Sequence, residues 1–263
     1  MRLQLIADKI TVPDEPARVQ RARLIELLHE SMESCAATII NGRAGTGKTM
    51  LAASFARCCG RGVAWYKVDA ADSDPRVFYE YLIASVRLQR PSVDWDRVLQ
   101  FVEMTEDDEA SLLAEAFVFQ LTRNKAEPLL IVLEDLHLVY DADWLVPFFR
   151  RLLPQLPADA HLLITCRSLP PAPLWRLRSK QMLRVVDEAE LAFILDEAVQ
   201  LFETYGLTEE HARVGMGHTN GRAAAIANFA ATPGLAGRAE ADSFLAIKRP
   251  RFRSMIQTED FQA

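Results

Sequence analysis

Residues 42–49 read Gly-Arg-Ala-Gly-Thr-Gly-Lys-Thr, a complete G-x-x-x-x-G-K-[ST] phosphate-binding loop. The glycines allow a tight turn that aims successive backbone N–H groups inward at a phosphate, where a Cβ atom would clash. Lys48 supplies a positive charge for the phosphates, and the Thr49 hydroxyl supplies a ligand for Mg²⁺. The loop therefore predicts that the chain binds a nucleoside triphosphate.

The sequence on either side of the loop has the order that such a site needs. Residues 36–40 form a short run rich in β-branched residues, which predicts a strand, and residues 50–56 are good helix formers. A helix that starts directly after the loop directs the positive end of its dipole at the phosphates. An ordinary glycine-rich turn is the alternative, and the order of strand, loop and helix argues against it. The residues predicted here to contact the nucleotide are Gly42, Arg43, Ala44, Gly45, Thr46, Gly47, Lys48, Thr49 and Met50.

A second, acidic element follows an apolar run. Residues 129–133 are apolar at every position, which is typical of a central strand covered on both faces, and Glu134 and Asp135 come directly after it. Phosphoryl transfer needs an anchor for Mg²⁺ and a group that orients the attacking water. We assign Glu134 with Thr49 to the metal and Asp135 to the water. Glu134 is one methylene longer than the aspartate usual at the first place, so hydrolysis stays open, and an ordinary strand that ends in an acidic turn is the alternative.

Arg167 completes the predicted site. It directly follows the apolar run 161–166, at the end of another predicted strand. A guanidinium at this edge can sense or stabilise a γ-phosphate, so we assign Arg167 a catalytic role beside Glu134 and Asp135. A surface salt bridge is the alternative for this arginine.

Strand-like runs alternate with stretches of helical periodicity over most of the chain. Strands are predicted at 62–68, 129–133 and 161–166, and helices at 77–86, 109–121 and 144–153. This alternation predicts an α/β fold, the doubly wound parallel sheet of a P-loop NTPase. From about Met182 onward the pattern changes to helices without intervening strands, at 188–202, 208–216 and 222–229. A small helical domain is therefore expected after the sheet.

These patterns divide the chain into four parts. The expected parts are an N-terminal arm and helix at 1–34, a P-loop nucleotide-binding domain at 35–181, a helical domain at 182–233, and a loosely ordered tail at 234–263.

Composition narrows the class of protein. The 263 residues are 50% hydrophobic and 25% charged, with no apolar run long enough for a membrane span and no secretory leader, which predicts a cytoplasmic protein. The formal net charge of −6 argues against direct DNA binding by this chain. Its local exception is the basic stretch 248–253, for which a solvated tail and a DNA contact are the two interpretations. The four cysteines, Cys35, Cys58, Cys59 and Cys166, lack metal-ligand spacing and are predicted to be reduced core thiols rather than a disulfide or zinc site.

Several segments together resemble the STAND class of signal-transduction ATPases, in the branch of the maltose-regulon activator and related LuxR-type transcriptional regulators. The segments lie between residues 9 and 228 and are Lys9-Ile10-Thr11-Val12-Pro13, Val19–Ile25, Ala64-Trp65-Tyr66-Lys67-Val68-Asp69, Asp72–Leu82, the phosphate loop, Glu134-Asp135-Leu136-His137, Thr165-Cys166-Arg167 and Glu190–Ala198. Asp72–Leu82 is similar to that branch's D-x-D-P-x-x-F-x-x-Y-L signature and is the most branch-specific of them.

The resemblance implies an ATP-binding switch in which a closed ADP state exchanges for an ATP state that associates with itself or with a regulatory protein partner. It implies ATP or ADP with Mg²⁺ as ligands, slow hydrolysis, and positions near the nucleotide for Arg21 and Gly221. A non-hydrolysing, nucleotide-stabilised interaction module is the alternative. The chain departs from the family in two ways: Ala223 stands where a proline packs on adenine, and the winged-helix, sensor-repeat and DNA-binding domains do not follow. A truncated form, a degenerate protein and a stand-alone switch are the resulting expectations.

Overall fold

The fold is built on one sheet of parallel strands. The structure is a computed structural model that describes residues 5–14, 16–104, 110–123, 127–171 and 182–232. Its five strands lie in the order β2-β3-β4-β1-β5. Their bounds are β1 Ala37–Asn41, β2 Gly62–Lys67, β3 Leu129–Glu134, β4 Ala160–Cys166 and β5 Leu183–Val186. All strand pairs are parallel, so their carboxyl ends meet at one edge of the sheet.

Helices cover both faces of this sheet. The helices are α1 Ala22–Ser34, α2 Lys48–Cys58, α3 Pro75–Gln89, α4 Trp95–Met104, α5 Ala110–Arg123, α6 Leu145–Leu152, α7 Leu195–Glu203, α8 Glu209–Thr219 and α9 Ala223–Ala230. Alternate residues of β3 enter two different cores: Ile131 packs in the core shared with α3 to α6, and Val132 in the core shared with α1 and α2. Because both faces are covered, every residue of β3 is buried, as its apolar run predicts.

The strand order separates the two chemical elements of the site. β4 lies between β1, which leads into the phosphate loop, and β3, which leads into the acidic pair. The register pairs Ile40 with Thr165 on one side of β4 and Leu133 with Ile164 on the other. The end of β4, with Thr165 and Arg167, therefore lies between the loop and the acids.

Helices α7 to α9 form a small module with its own apolar core, which includes Phe202, Ala212 and Ile226. Val19 of the N-terminal arm is buried in this core, whereas Leu24, one turn into α1, is buried on the sheet. The arm therefore joins the helical module to the sheet through its own side chains.

The α/β prediction is confirmed, and one part of the helical prediction is wrong. Residues 183–186 form β5, a parallel edge strand beside β1, where only helices were expected from Met182 onward. Four residues are too few for an alternation to stand out from the sequence. The helix expected from 188 begins only at Leu195, because Asp187 accepts hydrogen bonds from the N–H groups of Ala189 and Glu190 and closes a turn there. Helix α4 is absent from the predicted elements.

The cysteine prediction is wrong for Cys58, which is exposed on α2, whereas Cys59 and Cys166 are buried and Cys35 is partly buried. Across the residues that the structure describes, no helix combines the length and apolar character needed to cross a bilayer. The predicted tail at 234–263, with its basic stretch 248–253, lies outside the described residues.

Candidate functional site

The phosphate-binding loop connects β1 to α2 and holds a fixed conformation. Gly45 and Gly47 have φ of 79° and 87°, a region that residues with a Cβ rarely adopt. The ammonium of Lys48 donates to the carbonyl oxygens of Gly42 at 2.6 Å and Arg43 at 3.0 Å, and the Thr46 hydroxyl donates to the Arg43 carbonyl at 2.9 Å. The carbonyls of Gly42 and Arg43 thus accept hydrogen bonds from side chains of the loop itself.

The first turn of α9 packs directly on this loop. The Ala224 N–H donates to the Gly45 carbonyl at 2.8 Å, and Arg222 donates to the Ala44 carbonyl. A Cβ added to Gly45 would lie 3.0 Å from the Cβ of Ala224. The loop glycines are therefore needed for contact with the helical module as well as for their backbone conformation, a constraint that the loop pattern alone does not indicate.

Thr49 and Glu134 meet across the strand that separates them. The Thr49 hydroxyl donates to Oε1 of Glu134 at 2.6 Å, and the Glu134 side chain is buried. The second carboxylate oxygen, Oε2, is also buried and has no hydrogen-bond partner. An oxygen of this kind beside a threonine hydroxyl fits the oxygen ligands that Mg²⁺ takes from proteins.

Asp135 adopts an unusual backbone conformation at the end of β3. Its φ and ψ are 57° and 35°, in the left-handed region, and its N–H donates to the Thr165 hydroxyl at 2.9 Å. Its carboxylate lies 3.9 Å from Nε of Arg167 and 3.7 Å from Nδ1 of His137. The structure therefore brings Asp135 and Arg167 together at one edge of the site.

Burial and neighbouring charges shape the electrostatics here. Burial lowers the pKa of Lys48, with the charge of Asp135 acting against this shift and that of Arg167 adding to it. Burial also lowers the pKa of His137, with the charge of Asp135 acting against this shift.

A cavity of about 550 Å³ runs from these residues to the N-terminal arm, which is the size of a typical small-molecule site. Among the predicted site residues, those that line it are Ala44, Gly45, Gly47, Lys48, Thr49, Met50, Asp135, Arg167 and Arg21. Glu134 is not part of this lining, but it accepts a hydrogen bond from Thr49, which is.

Four predicted contact residues lie outside the cavity lining: Gly42, Arg43, Thr46 and Gly221. Arg43 instead binds Glu188 through its Nε and one terminal nitrogen, at 2.6 to 3.1 Å, and this ion pair lowers the pKa of Glu188 to about 2. Gly221 has a φ of 71°, and a Cβ there would lie 2.5 Å from the carbonyl oxygen of Phe193. These two residues thus join the loop and the helical module to the segment before α7.

Arg21 lines the cavity while its guanidinium is already engaged. Its Nε donates to Glu197 at 3.1 Å, and a terminal nitrogen donates to the carbonyls of Leu191 and Ala192. Arg23 also reaches Glu197, with its Nε 3.1 Å from Oε1. The arm is thereby tied to the start of α7 by two arginines on one buried carboxylate.

Apart from Ala223, the remaining residues of the cavity lining were not identified as site residues from the sequence. The rest of the lining comes from the arm, from the segment before α7 and from helices α1, α2, α7 and α9, and most of its side chains are apolar: Pro16, Ala17, Arg18, Val19, Ile25, Leu51, Ser54, Phe193, Leu201, Ala223, Ala224 and Ala227. Residues of this kind have the periodicity of a buried core, so the sequence carries no signal that separates them from one. Within the described ranges there is no group of three or more His, Cys, Asp or Glu arranged to hold a metal ion. Any metal here would take its other ligands from nucleotide phosphates and water.

Comparisons with known proteins bear on both the fold and the relatives. No family model matches the chain. The HTH-type transcriptional regulator MalT of Serratia proteamaculans (strain 568) is 29% identical over 205 residues, which is 76% of this chain and 22% of that protein. MalT of Yersinia pestis (strain Pestoides F) is 30% identical over 207 residues, again 76% of this chain and 22% of the relative. The chain therefore spans about a fifth of the length of the curated relatives that it matches.

Among solved structures, the Walker-type ATPase paby2304 of Pyrococcus abyssi superposes with a TM-score of 0.53 at 11% identity, covering 90% of this chain and 75% of that one. At this identity the likeness concerns the fold alone. The chain has an α/β P-loop NTPase fold and is similar in sequence to the MalT regulators, while membership of the STAND class stays a prediction.

Proposed function

We propose that this chain is a nucleotide-binding module for transcription regulation, which binds ATP or ADP with Mg²⁺, hydrolyses ATP slowly and thereby controls association. The observation that carries the proposal is the 2.6 Å hydrogen bond between Thr49 and Glu134. It joins the phosphate loop to the acidic strand across β4, and Thr49 lines a cavity of ligand size. A glycine-rich turn with no nucleotide to bind has no need of this contact.

The phosphates would be held by the loop. Its inward N–H groups and the start of α2 favour an anion, and the Lys48 ammonium supplies a charge that is partly removed from water. The ammonium of Lys48 now donates to two loop carbonyls, and it would turn toward the phosphate oxygens on binding. Burial of Lys48 strengthens that interaction because the local dielectric is low.

Thr49 and Glu134 would hold Mg²⁺. The unpartnered Oε2 of Glu134 is the donor that supports this assignment. A bound Mg²⁺ neutralises charge on the phosphates during transfer.

Asp135 and Arg167 would act at the γ-phosphate. The Asp135 carboxylate would orient a water for attack, and the half-exposed Arg167 guanidinium would donate to the γ-phosphate oxygens. Both side chains line the same cavity as Lys48. The site thus holds a water-orienting carboxylate and two cations at one end of the cleft.

The nucleotide would control association with a second copy or a regulatory protein partner. The relatives at 29% and 30% identity are described as transcriptional regulators, which supports regulation as the role of this module. A shift between two states from 1:99 to 99:1 needs roughly 5.5 kcal/mol of differential binding. Contacts of Lys48 and Arg167 with a γ-phosphate that ADP lacks are the source that we propose for this difference.

A non-hydrolysing module is the second candidate, and one distance favours it. The Asp135 carboxylate lies 3.9 Å from the Arg167 guanidinium, and this ion pair competes with a water for the carboxylate oxygens. In this version the nucleotide stabilises the fold, and the module acts through association alone.

ATP turnover distinguishes the two candidates. We would measure it on purified protein over a wide range of protein concentrations, beside the variant Asp135→Asn, and identify the nucleotide released on denaturation. The first proposal predicts turnover that rises with concentration and falls roughly 100-fold or more in Asp135→Asn, with binding retained. Tightly held ADP with no turnover at any concentration would support the second candidate instead.

A further inference from the structure

The backbone of Asp135 is unusual for its position. Of the described residues other than glycine, only Asp135 and Asn220 have positive φ. Asn220 ends α8, where a left-handed residue is ordinary. Asp135 instead directly follows a strand, where this conformation costs roughly 1–2 kcal/mol unless a side-chain hydrogen bond compensates. Something in the surrounding structure must therefore hold it.

The hydroxyl of Thr165 is the group in contact with this backbone. The last residue pair between β3 and β4 joins Leu133 to Ile164, and beyond it the Asp135 N–H donates to Oγ1 of Thr165 at 2.9 Å. Thr165 is fully buried and its own backbone pairs with Ile40 of β1. A side-chain oxygen of β4 thus takes the place of the next ladder bond, at the point where the chain turns away from the sheet.

This turn decides where the Asp135 carboxylate lies. The carbonyl of Asp135 accepts from the Leu138 N–H at 3.1 Å, and the carboxylate lies within 4 Å of both Arg167 and His137. In an ordinary extended conformation the chain would continue along the sheet, and the carboxylate would no longer lie beside Arg167 and His137. The position of the carboxylate therefore depends on a hydrogen bond made by the backbone of the same residue.

We propose that Thr165 is a positioning residue, which acts through the main-chain N–H of Asp135 to aim its carboxylate at the γ-phosphate end of the cleft. This inference rests on the proposed ATP hydrolysis. Misplacement of a reacting group by about 1 Å can cost roughly 100-fold in rate. Loss of the hydroxyl should therefore lower the turnover number and leave ATP affinity almost unchanged.

The test compares Thr165→Val with Thr165→Ser and with Thr38→Val. Valine removes the hydroxyl at nearly constant volume, and serine keeps it. Thr38 is a matched control, because it is also a fully buried strand threonine with hydrogen-bonded Oγ1, at the opposite end of the sheet. For each protein we would measure ATP turnover, the Kd for Mg-ATP, and the melting temperature.

We expect Thr165→Val to lose at least tenfold in turnover with a Kd within about twofold of wild type. Thr165→Ser should recover turnover to within about threefold, and Thr38→Val should lose stability but keep turnover. Wild-type turnover in Thr165→Val, or an equal fall in Thr38→Val, would overturn the proposal. If Thr165→Val fails to fold, Thr165→Ala replaces it. The ratio of the ATP turnover of Thr165→Ser to that of Thr165→Ala then gives the effect of the hydroxyl. Absence of turnover in wild type would instead defeat the proposed hydrolysis, and positioning for it, before any variant is compared.

Discussion

The two ends of the central strand pair β1 and β4 each bury a threonine hydroxyl, but they surround it differently. At the amino end, Thr38 Oγ1 lies 2.6 Å from the Ser31 hydroxyl and 2.9 Å from Nε2 of His161, while Nδ1 of His161 lies 3.1 Å from the Cys35 carbonyl. At the carboxyl end, Thr165 is one of several polar groups, and Oε2 of Glu134 has no partner. In the amino-end cluster each of these polar groups has a hydrogen-bond partner, whereas the carboxyl-end cluster keeps one buried acceptor without a partner. We call the amino end the closed end and the carboxyl end the open end.

The hydrogen bonds of the amino-end cluster determine which nitrogen of His161 carries the proton. The Cys35 carbonyl can only accept, so Nδ1 of His161 carries the proton, and Nε2 accepts from Thr38, which in turn accepts from Ser31. When His161 is neutral, every donor in this series of hydrogen bonds has an acceptor. A group that is fully satisfied supports the fold, whereas an unsatisfied group beside a cavity is suited to a ligand.

The largest effect is expected from Lys48→Ala, which removes the cation of the open end. Breaking a pair between this ammonium and buried phosphates should cost roughly 3–5 kcal/mol, or at least 100-fold in Kd for Mg-ATP. A thermal shift assay with Mg-ATP should show no stabilisation of the variant. Lys67→Ala, an exposed lysine at the end of β2, is the control and should behave as wild type. An unchanged shift in Lys48→Ala would contradict the assignment of this end to nucleotide.

The closed end should make the fold sensitive to acid. Burial lowers the pKa of His161 to about 4, with the Cys35 carbonyl acting against the shift and the charge of Arg61 adding to it. Because the unfolded chain then binds more protons between about pH 6.5 and 4, the free energy of unfolding should fall by about 3 kcal/mol as the pH falls through this window. Urea unfolding at several pH values measures it.

The matched protein for this pH series is His161→Gln, which has no imidazole to protonate. Other groups titrate in both proteins, so the slope of wild type minus that of the variant isolates His161. Equal slopes would show that the amino-end cluster tolerates a charge, and the contrast between the two ends would be lost.

A smaller effect is expected from Glu134→Gln at the open end. The amide keeps the shape of the side chain and an acceptor for the Thr49 hydroxyl, but it lacks the charge that favours Mg²⁺. We expect the gain in ATP affinity on addition of Mg²⁺ to shrink roughly tenfold, about 1.4 kcal/mol, while binding of ATP in EDTA changes little.

Titration calorimetry with and without Mg²⁺ measures this change, and Asp141→Asn, an exposed acid, is its control. A full Mg²⁺ response in Glu134→Gln would remove Glu134 from the metal site.

The same contrast explains what the sequence could predict. Glu134 and Arg167 each follow an apolar run directly, and Lys48 belongs to the loop that follows another such run. Because the carboxyl ends of parallel strands share one edge, local patterns were enough to bring the three together. The phosphate loop and strands β1 to β4 were identified from local patterns of the same kind.

The remaining features depend on register and on contacts between distant segments. Ser31, Thr38 and His161 meet only because β1 pairs with β4 in one register, and Thr165 reaches the Asp135 N–H for a similar reason. β5 is a short edge strand with only four residues. Residues 16–19 of the arm line the cavity only because the folded chain brings them there, and their own sequence does not indicate it. No spacing within the chain encodes these contacts.

Calorimetric titration of the wild-type chain with ATP and with ADP, each with Mg²⁺, tests the central claim most directly. The open carboxyl end of the sheet predicts one binding site per chain for each nucleotide, with a weaker response when Mg²⁺ is replaced by EDTA. Absence of binding at millimolar nucleotide, in a chain that melts cooperatively and so is folded, would contradict the account.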